Sequence, residues 1–288
     1  MSIVVKNLTF IYNEGSPFET KALDDVSMEI KEGEIVGIIG HTGSGKSTLV
    51  QHFNGLLRPT KGNVIIKGMD ISDKRINLRE LRKKVGFIFQ YPEYQIFEET
   101  VLKEVSFGLK NIGMDDERGL QERVKEALEL VDLDYESFKD KSPFLLSGGE
   151  KRRVAIASIL AMKPEILIMD EPTAGLDPGG RNFILSKIRE IHKKYSMTIV
   201  LVSHSMEEVY ELTDRVFVMD KGRIVMEGSP KIVFKNQEFL ESIGLGVPQV
   251  VQLVNRLRGK GIDVGDDVLS IYELAKDIKR LYLRGRKP

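Results

Sequence analysis

Three short stretches of the chain carry groups suited to handling a phosphate chain. In Gly40-His41-Thr42-Gly43-Ser44-Gly45-Lys46-Ser47-Thr48, glycines let successive backbone N–H groups turn toward phosphate oxygens. Lys46 is spaced to reach the β and γ phosphates of a nucleotide, and Ser47 to ligate magnesium. This phosphate-loop pattern needs a strand before it and a helix after it, whose N-terminus adds its positive dipole end. Asp170 and Glu171 close an apolar run, Ile166-Leu167-Ile168-Met169. Two carboxylates there can divide two tasks: Asp170 holds magnesium, directly or through water, and Glu171 polarises an attacking water. Leu146-Ser147-Gly148-Gly149-Glu150 opens another helix with a good N-cap and two residues that leave backbone donors uncovered. That is a second anion-binding helix end where one phosphate loop needs only one, although an ordinary helix start would read alike.

The elements that must position these groups show in the hydrophobic periodicity. Alternation in Ile3–Leu8 and Val26–Ile30 predicts short strands, with a turn over 13–19 between them. Ile35–Ile39 is a buried strand entering the phosphate loop, and a helix is expected over about 46–57. Further β-like runs fall at Gly62–Ile66 and Val85–Phe89, and helical patterning dominates 101–131. Ser147 is expected to cap a helix running to about Met162. Ile166–Met169 and Thr198–Val202 are uninterrupted apolar runs, joined by a helix over about 181–195. Such strands imply cover on both faces, as in a parallel sheet, so the core is α/β. Around Gly228-Ser229-Pro230 the rhythm stops. Beyond it Val250, Val251, Leu253, Val254 and Leu257, then Ile271, Leu274, Ile278 and Leu281, recur at helical spacing. Residues 1–230 are therefore read as one domain and 231–288 as a small helical appendage.

Bulk properties narrow the class of partner. The 43 basic and 43 acidic residues of the 288-residue chain cancel, so no global field draws nucleic acid or anionic lipid. Without cysteine there is no disulfide framework, thiol nucleophile or zinc finger, which fits the cytosol. No secretory leader is evident, and no apolar stretch approaches the roughly 20 residues that span a bilayer. Work at a membrane would depend on other chains.

The order phosphate loop, Leu-Ser-Gly-Gly-Glu, then Ile-Leu-Ile-Met-Asp-Glu resembles the ATP-binding-cassette (ABC) ATPases over about residues 2–230. The resemblance implies an α/β P-loop NTPase cassette with an N-terminal antiparallel β subdomain and a helical signature subdomain at about 91–162. It implies ATP and Mg2+ as cofactors, and a head-to-tail dimer in which Ser147, Gly148 and Gly149 donate to the γ phosphate held by the opposite subunit. Glu150 stands where the family usually has glutamine, a change that leaves Ser147 and both glycines intact. Position by position, Tyr12 resembles the aromatic that stacks on adenine. Gln90 resembles the glutamine that couples magnesium and water to the partner. Gly175-Leu176-Asp177 resembles the loop crossing the dimer, with Asp177 its key acid, and His204 the histidine that contacts the γ phosphate.

Tyr91-Pro92-Glu93-Tyr94-Gln95-Ile96-Phe97-Glu98-Glu99-Thr100, with Ser203-His204-Ser205-Met206 in support, is similar to a narrower group: the energy-coupling-factor branch, particularly the second of its two ATPase types. That likeness implies a second cassette ATPase as partner, in a homodimer or more readily a heterodimer. It also implies a transmembrane coupling subunit, a membrane substrate-binding subunit, a place at the cytoplasmic face of the cell membrane, and import of vitamins or transition-metal ions. The aromatic segment would help form the groove that receives the coupling subunit's helices, or else be local core. The appendage, with Gly244-Leu245-Gly246-Val247-Pro248, would dimerise the ATPases or merely cap the domain. Another importer or exporter cassette would share every catalytic residue. A cassette acting on nucleic acid or ribosomes would be expected to carry long coiled coils, zinc cysteines or a second cassette, and no nucleic-acid partner is expected here.

Overall fold

The computed structural model describes residues 1–262, 264, 265, 268 and 271–284, and its strands form two sheets. β1 (Ile3–Tyr12), β2 (Thr20–Ile30), β4 (Lys61–Ile66) and β5 (Met69–Asp70) build an antiparallel sheet in the order β2-β1-β4-β5. β3 (Ile35–Gly40), β6 (Val85–Ile88), β7 (Ile166–Asp170), β8 (Thr198–Val202), β9 (Arg215–Asp220) and β10 (Arg223–Gly228) build the second, ordered β10-β9-β3-β8-β7-β6. Its neighbours run parallel except β9 and β10.

β7 and β8 are buried at every position because the sheet separates two cores. Side chains alternate across a strand. Leu167, Met169, Ile199 and Leu201 pack with the helical layer, whereas Ile166, Ile168, Val200 and Val202 share a core with the antiparallel sheet. The helical layer comprises α3 (Val101–Asn111), α4 (Glu117–Leu130), α6 (Gly148–Leu160) and α7 (Pro178–Tyr195). The other core takes α1 (Lys46–Phe53) and Leu81 of α2 (Leu78–Lys84). Two short helices, α5 (Tyr135–Phe138) and α8 (Met206–Leu212), complete this part of the chain.

Where elements differ from expectation, local chemistry accounts for it. The stretch 101–131 is two helices: the chain turns at Gly113, and Asp116 recaps it by accepting from Gly119 N at 2.7 Å. α1 stops at Phe53, just before Gly55 adopts a positive φ. α7 begins at Pro178, earlier than periodicity suggests, because Asp177 caps it and proline suits the first turn. Neither α8, β9 nor β10 was anticipated; each is short, and β10 has no buried position.

After the sheet, α9 (Pro230–Lys235) and α10 (Gln237–Ser242) seat Val233, Phe234 and Leu240 against Ile39, Val216 and Val218. α11 (Gln249–Gly259) and α12 (Ile271–Arg284) bury Val250, Val254 and Leu274 in a small cluster with Val264 and Val268, while Leu253 and Ile278 are exposed. The side chain of Ile271 and residues 285–288 lie outside the described residues. Among the described residues no helix is long and apolar enough to cross a membrane.

Candidate functional site

β3 delivers the chain to the phosphate loop, and Gly45 turns it into α1. At φ +101° Gly45 is in a region that L side chains avoid, and a Cβ there would stand 2.7 Å from Ala22 O. Lys46 is buried and donates from Nζ to Gly40 O at 2.8 Å and His41 O at 3.0 Å. Burial lowers its pKa, and the carboxylates of Glu171 and Asp170 pull it back up. The His41 ring reaches Thr42 O at 2.7 Å and Asp220 Oδ1 at 2.9 Å. Ser44 Oγ is buried within the loop without a hydrogen-bond partner, while Thr42, Gly43 and Ser47 are exposed. Tyr12, at the end of β1, lies beside α1 with its hydroxyl 3.2 Å from Thr48 Oγ1 and its ring edge-on to Phe10.

The parallel register sets the carboxylates next to this loop. Asp170 ends β7, is buried, and accepts a hydrogen bond from Ser47; burial raises its pKa against the pull of that bond and of Lys46. Glu171 follows at φ +54°, a left-handed conformation costing roughly 1–3 kcal/mol for a non-glycine residue. Its N–H is held by Val202 O at 2.9 Å, so the neighbouring strand β8 fixes the strained residue. Burial pushes the Glu171 carboxyl up to about 7; the backbone of His204 counters this by hydrogen bonding, and the charge of Asp170 adds to it. His204 Nε2 is 3.1 Å from Glu171 Oε1 but out of line for a hydrogen bond, leaving that oxygen without one. Burial, then Lys46, lowers the imidazole's pKa.

A buried carboxylate that motif spacing does not reveal holds the His204 loop. Glu208, on α8, accepts from Thr173 Oγ1 at 2.6 Å and Ser203 Oγ at 2.9 Å, and lies 2.8 Å from Arg181 Nε. Arg181 also donates to Ser205 Oγ at 2.7 Å. One anion thus ties the segment after Glu171, the start of α7 and both flanks of His204. The available signal was Ser205-Met206-Glu207-Glu208, the spacing of a capping box, but here the carboxylate turns inward.

Other expected positions lie apart. Gln90 is exposed just beyond β6. Asp177 is exposed and caps α7, accepting from Gly180 N at 3.0 Å. Ser147 caps α6 in a capping box: Glu150 Oε2 accepts from Ser147 N at 2.8 Å and lies 2.6 Å from Ser147 Oγ. Glu150 thereby does what a glutamine carbonyl could also do. Ser147, Gly148 and Gly149 are exposed, and a Cβ at either glycine would meet nothing within 4 Å. Nothing among the described residues requires glycine there. No hydrogen bond joins these residues or Asp177 to the phosphate loop among the described residues.

The donor set suits a hard cation, since the Ser47 hydroxyl and Asp170 carboxylate meet beside a loop whose N–H groups and Lys46 suit phosphate oxygens. Residues 23–174 match the family described as ABC transporter. The energy-coupling factor transporter ATP-binding protein EcfA2 of Clostridioides difficile is 56% identical over 99% of both chains. In Caldanaerobacter subterraneus subsp. tengcongensis, EcfA2 is 56% identical over 100% of this chain and 99% of its own. EcfA1 of the same organism is 47% identical over 96% and 99%. CbiO1 of Clostridium perfringens, part of the ABC transporter complex cbiONQ, superposes with a TM-score of 0.74 at 39% identity, over 88% of this chain and 98% of that one. The dimeric ATP-binding cassette MJ0796, in a post-hydrolysis state with ADP and Pi, gives 0.70 at 32% identity over 79% and 98%.

Proposed function

Because the chain belongs to the ABC transporter family, and within it to the ATP-binding proteins of energy-coupling factor transporters, we propose that it hydrolyses MgATP at sites shared between two cassettes and so powers uptake of a vitamin or transition-metal ion. The observation that carries this reading is a division within one chain. Lys46, Ser47, Asp170, Glu171 and His204 converge at one sheet edge, while Gly148 and Gly149, beside the helix cap Ser147, open outward with nothing among the described residues that needs a glycine there.

In that reading the N–H groups of Gly40 to Thr48 cradle the phosphates and Lys46 neutralises them, with Tyr12 against the adenine. Ser47 and Asp170, joined by Gln90 once it moves in from its exposed position beyond β6, would hold Mg2+, which would offset charge on the phosphate oxygens. Glu171 orients the attacking water and takes its proton, a task suited to a carboxyl with pKa about 7. His204 supports the γ phosphate. The second cassette supplies its own Ser147-Gly148-Gly149 equivalent, and Asp177 lies in the loop between the two sites.

The partner is a related but different ATPase. Support comes from Caldanaerobacter, which has both types, of which EcfA2 is the more similar to this chain. Residues 1–230 form the nucleotide-binding domain, with a helical subdomain at about 91–162, and 231–288 serve dimerisation. Exposed Tyr94 and Phe97 receive a transmembrane coupling subunit that works with a membrane substrate-binding subunit. These chains hold the ATPase at the cytoplasmic face of the membrane.

Glu171→Gln tests the reading, because it keeps size and polarity but removes the base. Turnover should fall by on the order of a hundredfold or more, while MgATP accumulates a closed dimer on size exclusion with the partner cassette present. Parental hydrolysis would remove Glu171 from the chemistry. Loss of turnover with no ATP-dependent dimer would remove the shared-site cycle.

A further inference from the structure

Arg152 is among the largest side chains fully buried in the molecule, at 2% exposure, and it ties its own helix to two other segments, each bordering a different part of the site. Its Nε donates to Glu93 Oε2 at 2.9 Å, within the single 3-10 turn Pro92–Gln95 that follows Gln90. Its Nη1 donates to Ala174 O at 2.9 Å, midway between Glu171 and Asp177. Its own backbone lies in the second turn of α6, whose N-terminus is Ser147-Gly148-Gly149. The Tyr91 ring lies 5.9 Å from the guanidinium and packs so closely on Gly175 that a Cβ there would stand 3.2 Å from it.

The turn at Pro92–Gln95 has two faces. Glu93 points inward to the arginine, whereas Tyr94 is 83% exposed and Phe97, just after the turn, 55%. Downstream the segment is held again, with Phe97 N and Glu98 N donating to buried Glu104 Oε2 at 3.1 and 2.9 Å. The turn that carries this outer face is thus joined to Arg152 by an ion pair whose arginine is buried and whose glutamate is 18% exposed. Nη2 of the same fork is buried without an acceptor. A buried donor left unmet marks an arrangement that another conformation can improve.

We propose that Arg152 is a positioning residue that sets the signature helix and the 171–177 loop according to where Glu93 stands, so that docking on Tyr94 and Phe97 is read out at the nucleotide sites. The inference rests on the reading that a coupling subunit docks at those aromatics and that the sites are shared between cassettes.

The test uses the ATPase assembled with its membrane partners, in parent, Glu93→Gln, Arg152→Gln, Arg152→Lys and the Glu93→Gln/Arg152→Gln double variant. ATP affinity of the unassembled subunit should stay within about twofold of parent, while kcat of the complex should fall roughly five- to thirtyfold, the range of one coupling interaction. The double variant should lose no more than Arg152→Gln alone. Arg152→Lys keeps the charge but cannot fork to Ala174 O, and should recover part of kcat. Glu93→Gln breaks the pair from the more accessible side, so it reports even if Arg152→Gln fails to fold. Parental kcat in Glu93→Gln, strictly additive losses in the double variant, or losses that follow melting temperature alone would overturn the proposal. A parental chain that shows no assembly with membrane partners and no shared-site turnover would overturn the functional reading beneath it.

Discussion

Glu171 combines a left-handed backbone, a largely buried carboxyl and the nearby charge of Asp170. Each is unfavourable to folding, and the buried carboxyl suits the role proposed for Glu171, a base that takes a proton near neutrality. Its carboxyl is raised from 4.5 to about 7, so the folded state binds a proton more tightly than the unfolded chain. The stability from that proton is fully present below pH 4.5 and lost as pH rises through 7. Glu171→Gln should therefore stabilise the nucleotide-free protein at pH 8 by up to about 3 kcal/mol, at 1.36 kcal/mol per pKa unit, and leave it unchanged at acid pH. Thermal melts of both proteins across that range check this. In catalysis the sign reverses, because the base works ionised: parental kcat/KM should climb with pH to a plateau above about 7. A profile flat between pH 6 and 8 would separate Glu171 from the rate.

Among the elements, the turn Pro92–Gln95 is short and lies between a strand end and α3, yet it presents the most exposed aromatic of its surroundings, Tyr94. Were Tyr94 and Phe97 local core, their replacement would destabilise the subunit. The double alanine variant is instead expected to melt like the parent and bind ATP normally, but to be lost from the membrane complex on co-purification. Phe97 also meets Phe107 edge-on at 4.8 Å, so a small drop in melting temperature is compatible with docking and a large one is not. The placement of the phosphate loop, Asp170-Glu171 and the Ser147 cap was legible because each pattern sits in a few consecutive residues beside a periodic strand or helix. Glu208 and Arg152 were not: Thr173 and Glu93, which they hold, are 35 and 59 residues away, and the capping-box spacing at Glu208 points to a helix start rather than to a buried tie. Helix ends escaped for a related reason: Gly55 and Gly113 stop helices whose apolar periodicity runs on.

At the scale of the whole molecule, the separation of the phosphate loop from Ser147-Gly148-Gly149 has a genetic consequence. If the sites are shared as proposed, each allele contributes a left half to one site and a right half to the other. A chain carrying Lys46→Ala spoils its own phosphate loop but keeps a sound signature, and a chain carrying Gly148→Asp does the reverse. Each is inactive when expressed alone as a homodimer. Were the two to meet in one dimer, one site would collect both lesions and the other none, so two dead alleles would yield up to half the parental turnover. In an obligate heterodimer the two variants never share a dimer: without the partner cassette the mixture stays inactive, and with it each variant already keeps one intact site, so mixing the two adds nothing. Co-expression of differently tagged variants, with sequential affinity capture and an ATPase assay, therefore reads the assembly's composition as complementation, and the pairing proposed above predicts none.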